Sequence, residues 1–170
     1  MQTVSNAFHL GENNEVLDLL MRVQARYRAA TDADLGRIKG FLRDNGLPEI
    51  GIDQWVNSFV IAEEQDGSWV GVAGLERYGK VGLLRSVAVD MKHRGQGFGR
   101  GLVRSVIKNA RDHGIRTLYL VTDDASAYFE RFGFQSIDRD RVDEAVKVSV
   151  EFTKICKSAT PMQRAIREHE

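Results

Sequence analysis

This 170-residue sequence has only one cysteine. It also has no excess of either charge and no long apolar run. The single cysteine, Cys156, excludes a disulfide framework and a cysteine metal site within one chain. The four histidines are scattered without ligand spacing, which argues against a bound metal. Lys and Arg together number 24, as do Asp and Glu, so no net charge favours nucleic acid or an anionic membrane. Any electrostatic function must therefore be local.

The lack of long apolar runs sets the expected compartment. No run approaches the roughly 18 residues of a membrane span, and the first residues lack the basic and apolar regions of a signal peptide. We therefore predict a cytoplasmic protein. The length and the 42% apolar content fit one globular domain, assigned to residues 25–170, with residues 1–24 as an N-terminal arm or short helix.

The order of apolar residues predicts a mixed α/β fold. Helices are expected after Thr31, which resembles an N-cap, after a glycine-rich stretch at 94–101, and within residues 125–134. Alternation and turn residues predict strands at RYRAA (26–30), SFVIAEE (58–64), WVGVAGLERY (69–78), VGLLRSVAV (81–89), TLYLV (117–121), FQSID (134–138) and ATPMQRAI (159–166). The fourth strand, the second helix and the fifth strand form a crossover unit, so these two strands are expected to be parallel.

Two segments near the C-terminus are harder to interpret. The valines of residues 142–155 alternate as in a strand but also recur at helical spacing, and we predict a helix. The strand at 159–166 is expected to lie at an edge or to start with a break, because Pro161 cannot donate to a ladder.

The stretch RGQGFGRG, residues 94–101, places four glycines between a predicted strand and a predicted helix. The first amide N–H groups of a helix lack internal partners, and the helix dipole favours negative charge there. Glycines let an anion approach this backbone closely, so the stretch is predicted to bind phosphate. Its spacing fits neither GxxxxGK[ST] nor GxGxxG, which excludes a P-loop and a dinucleotide fingerprint.

Residues 91–111 concentrate positive charge in this neutral chain. They contain six cations and no acid: Lys92, Arg94, Arg100, Arg104, Lys108 and Arg111. Arg94 and Arg100 flank the loop and are the expected phosphate contacts. A solvated helix face explains Lys108 and Arg111 better, because they follow Arg100 and Arg104 at helical spacing.

Three motifs in order carry a family resemblance. RGQGFG (94–99) resembles the R/Q-x-x-G-x-G signature of the GNAT superfamily of acetyl-CoA-dependent N-acyltransferases, LLRSVAVD (83–90) resembles the strand before it, and AYFERFGF (127–134) resembles a later helix-turn. LYLVTDDASAYFERFGFQSID is similar to amino-acid N-acetyltransferases, including glutamate N-acetyltransferases. GLERYG, LLRSVAV and EFTKICKSATPM are similar to small N-acetyltransferases of arsenic-resistance operons. The resemblance covers about residues 26–165.

The resemblance implies a GNAT fold, with a mixed central sheet of six to seven strands that splays after the fourth strand and helices flanking it. It also implies acetyl-CoA as cosubstrate, no metal, and a small-molecule amine or amino acid as partner, with a homodimer left open. The residues implied in coenzyme A binding are Val87, Ala88, Val89, Arg94, Gly95, Gln96, Gly97, Phe98, Gly99, Arg100, Ser126 and Phe129. Ser126 is alternatively a helix cap.

Acetyl transfer needs a neutral amine, an oxyanion donor and a proton for the departing thiolate. By resemblance, the main chain at Val87 supplies the oxyanion donor. Many relatives have a glutamate at Leu83 and a tyrosine at Phe129, so the usual base and acid are missing. We predict Glu76 as base through a water and Tyr128 as acid, although Tyr128 lies about 100° around the helix from the family position.

Each of these assignments has an alternative. Glu76 also fits an exposed carboxylate paired with Arg77 or Lys80, while Tyr78 or water also fits the role of acid. Arg85, which alternation places on the face of Val87, and secondly Arg77, are predicted to bind an acceptor carboxylate; surface salt bridges explain both equally well. A non-catalytic acyl-CoA sensor remains the alternative to an enzyme.

Overall fold

A computed structural model describes residues 25–155 and 157–170. The predicted N-terminal arm, residues 1–24, and Cys156 lie outside the described residues. One mixed sheet of seven strands forms the centre, which confirms the predicted architecture. The strands are β1 (Arg26–Ala29), β2 (Val60–Glu63), β3 (Trp69–Tyr78), β4 (Val81–Val89), β5 (Thr117–Thr122), β6 (Gln135–Ser136) and β7 (Thr160–Ala165). Their order is β1-β2-β3-β4-β5-β7-β6.

The helices cover the two faces of this sheet. They are α1 (Leu35–Asp44), α2 (Phe98–Asp112) and α3 (Ser126–Glu130). The apolar stripe of α2 faces β3 and β4, and Leu102, Val103 and Val106 are fully buried there. Burying one such side chain contributes about 1.5–3 kcal/mol. On the opposite face, Ile38 and Leu42 of α1 pack in a second apolar cluster. None of the helices within the described residues has the length and apolarity to cross a bilayer.

The sheet splays between β4 and β5, as predicted. These parallel strands pair only from Val81 to Leu83, opposite Thr117 to Tyr119. β4 then continues for six more residues, pairing with β3 alone. Beyond Leu83, therefore, one edge of β4 has no strand partner within the described residues.

A β-bulge lies in β4 at this opening. Gly74 pairs with Arg85 and Val72 with Ala88, so Ser86 and Val87 together face the single residue between them. Ser86 has φ +56°, which is uncommon for a residue with a side chain. The extra residue reverses the alternation of side chains along the strand.

The bulge corrects the predicted orientation of Arg85. Leu84 and Val87 both pack against the cluster under α2, although alternation would put them on opposite faces. Arg85 instead contacts Glu76 on the other face. The prediction that Arg85 shares the face of Val87 is therefore wrong, because alternation does not continue through a bulge.

The predicted helix over residues 142–155 is also wrong as a continuous element. The segment forms turns and then a single π-helical turn, Glu151–Ile155. Its Val146 and Phe152 pack on Leu83, which fixes the path of the chain. The hydroxyl of Ser149 accepts a hydrogen bond from the amide of Glu151 at 3.2 Å, and such local bonds compete with a regular helix.

Strand β7 lies between β5 and the two-residue β6, so it is not an edge strand along its whole length. Pro161 is its second residue, and β6 pairs only with Met162 and Gln163. The carbonyl of Pro161 accepts the amide of Ile137 at 3.0 Å. Pairing with β5 runs without a register shift from Thr160 to Ala165, so the predicted break is absent, and Pro161 is tolerated because the β6 ladder stops at Met162.

Candidate active site

A cavity of about 630 Å³ opens where β4 ends and α2 begins; we call it the loop cavity. It is lined by Val87, Val89, His93, Arg94, Gly95, Gly97, Phe98, Gly99, Arg100, Arg104, Tyr128, Arg131 and Phe132. The predicted phosphate loop forms one wall. The end of α3 and the turn after it form the opposite wall.

The backbone of the loop is shaped for an anion. Gly95 and Gly97 have φ of +77° and +88°, a region that glycine adopts without steric cost. Gly97 is the N-cap of α2, and no side chain caps this helix. The amides of the first turn thus keep their donors for a ligand, and the helix dipole adds positive potential.

Charge around the loop cavity has one sign. Its lining residues include Arg94, Arg100, Arg104 and Arg131 and no acid. Arg94 is held in place, since its Nε donates to the carbonyl of Val89 at 3.1 Å. The cavity is therefore suited to a polyanion.

Outside the loop cavity, Lys108 has the exposed side chain expected of a solvated helix face, whereas Arg111 is only 24% exposed. Lys108 pairs with Asp112 at 2.7 Å, one turn along the helix. Arg111 lies 3.9 Å from Glu170. Neither side chain lines the loop cavity.

A second cavity of about 480 Å³ lies in the splay between β4 and β5; we call it the acceptor cavity. Its walls come from β4, from the end of β5 and the loop after it, from the loop after α1, and from the π-helical turn. The lining residues are Gly46, Leu47, Pro48, Leu84, Arg85, Ser86, Val87, Leu120, Val121, Thr122, Asp123, Asp124, Ala125, Tyr128, Phe129, Glu151 and Ile155.

Val87 and Tyr128 line both cavities. The two cavities therefore adjoin at these two residues. Phe129 lines only the acceptor cavity, and its ring is buried in the cluster under α2. Tyr128 thus reaches the junction of the two cavities, whereas Phe129, which holds the family's tyrosine position, does not.

The phenol of Tyr128 is held by packing. Its ring makes edge contacts with Phe129 and Phe132, at centroid distances of 5.2 and 5.3 Å. Burial raises the pKa of Tyr128, although Arg100 and Arg131 oppose the shift. The hydroxyl therefore keeps its proton at neutral pH and can donate it.

Arg85 and Glu76 form a buried ion pair beneath the acceptor cavity. The side chain of each is 1% exposed, and Arg85 Nη1 lies 2.6 Å from Glu76 Oε1. Arg85 Nη2 donates to the carbonyl of Ile50 at 2.9 Å and lies 3.2 Å from Glu151 Oε1. Tyr78 donates its hydroxyl to Glu76 at 2.6 Å. The pKa of Tyr78 is raised, first by burial and then by this carboxylate.

This arrangement overturns the surface interpretation of Glu76 and of Arg85. Glu76 is not an exposed strand-end carboxylate, and its partner is Arg85 and not Arg77 or Lys80. Glu76 lines neither cavity, whereas Arg85 lines the acceptor cavity. The carboxylate that does line the acceptor cavity beside Arg85 belongs to Glu151.

Four other predicted site residues lie outside both cavities. Ala88 is buried in the cluster under α1, and Gln96 is exposed and donates to the carbonyl of Lys92 at 3.3 Å. Arg77 is exposed on β3. Ser126 is the first residue of α3 and does not cap it, because Ala125 occupies the N-cap.

Some residues of the site escaped the sequence analysis. Arg131 belongs to the motif AYFERFGF, so its position next to the phosphate loop was available as a signal. The sequence offers no such signal for Glu151, because residues 142–155 were predicted to form a continuous helix. Asp123 and Asp124, which also line the acceptor cavity, follow the parallel strand β5, where ligand sites are common. No group of residues suited to a metal ion occurs among the described residues.

Comparisons with known proteins agree with this geometry. Residues 27–134 match the model of the acetyltransferase (GNAT) family. The chain is 31% identical over 106 residues to an amino-acid acetyltransferase of Mycobacterium tuberculosis, covering 61% of this chain and 58% of the relative.

Two solved structures share the fold. The N-acetylglutamate synthase of Neisseria gonorrhoeae, complexed with coenzyme A and N-acetyl-glutamate, matches with a TM-score of 0.72 and 22% identity, over 85% of this chain and 35% of that one. A GNAT acetyltransferase of Staphylococcus aureus matches with a TM-score of 0.69 and 19% identity, over 85% and 100%. The chain thus spans less than two thirds of the length of the Mycobacterium tuberculosis and Neisseria gonorrhoeae proteins. With more than half of its residues matched by the family model, the chain belongs to the acetyltransferase (GNAT) family.

Proposed function

We propose that this chain is an acetyl-CoA-dependent N-acetyltransferase, which transfers acetyl to the amino group of a small amino-acid-like acceptor by direct attack on the thioester. The observation that carries the proposal is the meeting of two cavities at Val87 and Tyr128. One cavity suits phosphates and the other has room for a small acceptor. The names of the relatives, amino-acid acetyltransferase and N-acetylglutamate synthase, support an amino acid as acceptor.

The loop cavity fits the charged end of coenzyme A. The uncapped amides after Gly97 would donate to the pyrophosphate, and Arg94 and Arg100 would neutralise it. Acetyl-CoA supplies the activated acetyl group as a thioester. Val87 and Val89 then line the route for its apolar arm towards the acceptor cavity.

We assign the oxyanion donor to the main chain at Val87. Pairing with β5 ends at Leu83, and the bulge leaves Ser86 and Val87 opposite one residue. A backbone donor aimed at the thioester oxygen lowers the barrier by about 2.7–4 kcal/mol. The strained backbone at Ser86 fixes the direction of this donor before the substrate arrives.

We assign Arg85 to the carboxylate of the acceptor. Its Nη1 stays with the buried Glu76, while its Nη2 contacts Glu151, which lines the cavity. A substrate carboxylate can replace Glu151 at Nη2 by the same kind of charged hydrogen bond. The Glu151 carboxylate, displaced from Nη2, would then accept the proton of the acceptor's ammonium. Glu76, held by two donors outside the cavity, serves to position Arg85.

The bond changes balance with these groups. The ammonium loses a proton to the Glu151 carboxylate, directly or through a water. The amine nitrogen then bonds to the acetyl carbon, the carbon–sulfur bond breaks, and the Tyr128 hydroxyl protonates the thiolate. The surplus proton on the new amide nitrogen returns to the Tyr128 phenolate, and the proton held by Glu151 leaves to solvent.

Release of thiol from acetyl-CoA tests the proposal. The acceptors are free amino acids and their phosphonate, phosphinate and arsenical analogues, with each O-methyl or amide derivative as a control lacking the acid. We expect turnover with at least one acidic acceptor and a much higher KM for its neutral derivative. Tight binding of coenzyme A without turnover on the panel or on amines of a cell extract would favour a sensor instead.

A further inference from the structure

A basic groove of about 420 Å³ continues from the loop cavity along α2. The two spaces share Arg104, Arg131 and Phe132. The groove is lined by Arg104, Ile107, Lys108, Arg111, Arg131, Phe132, Gly133, Arg164 and Glu170. It thus adds three cations to the two that it shares with the loop cavity.

The acid in this groove comes from the C-terminal tail. Glu170 Oε2 lies 2.5 Å from Arg164 Nη2 and 3.9 Å from Arg111 Nη2. The tail is fixed nearby, because Arg111 Nε donates to the carbonyl of Arg167 at 3.1 Å. A carboxylate therefore lies where several cations converge.

The remaining positive charge is larger than one carboxylate can balance. Among the described residues, no ion pair involves Arg104 or Arg131, and both are exposed. A phosphate monoester carries up to two negative charges and three acceptor oxygens, and arginine is the preferred partner for it. The groove suits such a group better than it suits Glu170.

The position of the groove indicates which phosphate it would take. Arg100 lies in the first turn of α2 beside the loop, and Arg104 lies about 6 Å further along the same face. In coenzyme A, the pyrophosphate and the 3′-phosphate hang from one ribose. A pyrophosphate at the loop therefore leaves the 3′-phosphate within reach of the groove.

We propose that this groove binds the 3′-phosphate of coenzyme A, and that the Glu170 side chain occupies the site until the phosphate displaces it. The inference rests on the proposed function, because it needs coenzyme A at the loop. It makes Glu170 an internal competitor and Arg164 a specificity residue that distinguishes coenzyme A from its dephospho form.

Equilibrium binding of coenzyme A and of 3′-dephospho-coenzyme A tests the proposal. The unchanged protein should bind coenzyme A more tightly. Glu170→Gln should tighten coenzyme A binding about 3-fold and leave dephospho-coenzyme A unchanged, because one exposed competing charge is removed. Arg164→Gln should weaken coenzyme A binding selectively. Both differences should shrink at high salt.

Glu168→Gln is the matched control, since Glu168 is a tail glutamate that pairs with Arg116, outside the groove, at 2.9 Å. It should change neither affinity. Equal affinities for the two ligands, or equal effects of Glu170→Gln on both, would overturn the groove assignment while leaving acetyl transfer intact. No binding of either ligand would overturn the proposed function together with this inference.

Discussion

Val87 on β4 and Tyr128 on α3 together line both the loop cavity and the acceptor cavity. The two residues come from opposite sides of the splay. One offers main-chain atoms and the other a phenol whose pKa is raised by burial. The proposed oxyanion donor and the proposed proton source therefore lie at the same junction.

Tyr128→Phe should lower kcat about 100-fold, because a positioned general acid contributes roughly that factor or more. Coenzyme A affinity should change little, since the ring and its contacts remain. Steady-state kinetics with the best acceptor measures the effect. Tyr27→Phe is the control, because Tyr27 lines neither cavity and its hydroxyl makes one long bond of 3.5 Å to the carbonyl of Phe98. A normal kcat for Tyr128→Phe would leave water as the proton donor.

Glu151→Gln should lower kcat about 100-fold at neutral pH by removing the base. The loss should diminish at alkaline pH, where the free amine no longer needs a base. The measurement is a pH profile of kcat/KM. Glu144→Gln removes an exposed carboxylate of the same segment, 86% exposed, and should be neutral. If the kcat/KM profiles of the variant and the unchanged protein stay parallel at all pH values, Glu151 has a structural role and is not the base.

Glu76→Gln should act mainly on stability. Removing one partner of a buried ion pair costs about 3–5 kcal/mol, because the other charge is left uncompensated. Here Glu151 remains beside Arg85, so we expect the lower end of that range. Urea denaturation measures the change in the free energy of unfolding. If stability stays the same and the pH profile changes instead, Glu76 regains the role of base.

Gly99→Ala should weaken coenzyme A binding. A Cβ at Gly99 would lie 2.7 Å from the Tyr128 hydroxyl, so the phenol, which lines the loop cavity, must shift. Isothermal titration measures the affinity. Gly36→Ala in α1 is the control, because a Cβ there meets nothing within 4 Å and helix propensity favours alanine. Unaltered binding by Gly99→Ala would mean that the loop wall yields without consequence for the ligand.

Asp34→Asn should destabilise the fold at neutral pH but not at low pH. Asp34 accepts two bonds from Arg28, at 2.9 and 3.1 Å, and one from the Thr31 amide at 2.8 Å. The Arg28 guanidinium holds the pKa of Asp34 down to about 2, from 3.8. Because the folded pKa is the lower one, the stabilisation is present above pH 4 and is lost as pH falls towards 2.

After allowance for solvent screening, the effect at pH 7 is about 1 kcal/mol. Thermal melts of the two proteins from pH 2 to pH 7 measure it. The melting temperatures should converge at the acid end. A constant difference across that range would contradict the assignment to ionised Asp34.

Much of the fold was predictable because its signals are local. Strands β3 and β4 lie where alternation placed them, and α2 follows β4 as expected, although it begins at Phe98, inside the glycine-rich stretch. The shape of the predicted phosphate loop was predictable for the same reason. Gly95 and Gly97 adopt a positive φ, which glycine favours.

The acceptor side was less predictable because it depends on contacts between distant segments. Nothing near Arg85 in the sequence indicates that Glu76 and Glu151 both contact it, or that the bulge at Ser86 turns Arg85 away from Val87. Residues 142–155 follow the packing surface offered by Leu83, and periodicity carries no information on that surface.

The bulge at Ser86 also decides how this strand can vary. Before the bulge Arg85 takes part in an ion pair on one face of the sheet, whereas after it Val87 and Val89 line the loop cavity. Deleting one residue from β4 would turn every later side chain to the opposite face of the sheet. Replacing a single side chain leaves all the others on their present faces. Homologous chains should therefore keep the length of this strand more strictly than the identity of its apolar side chains.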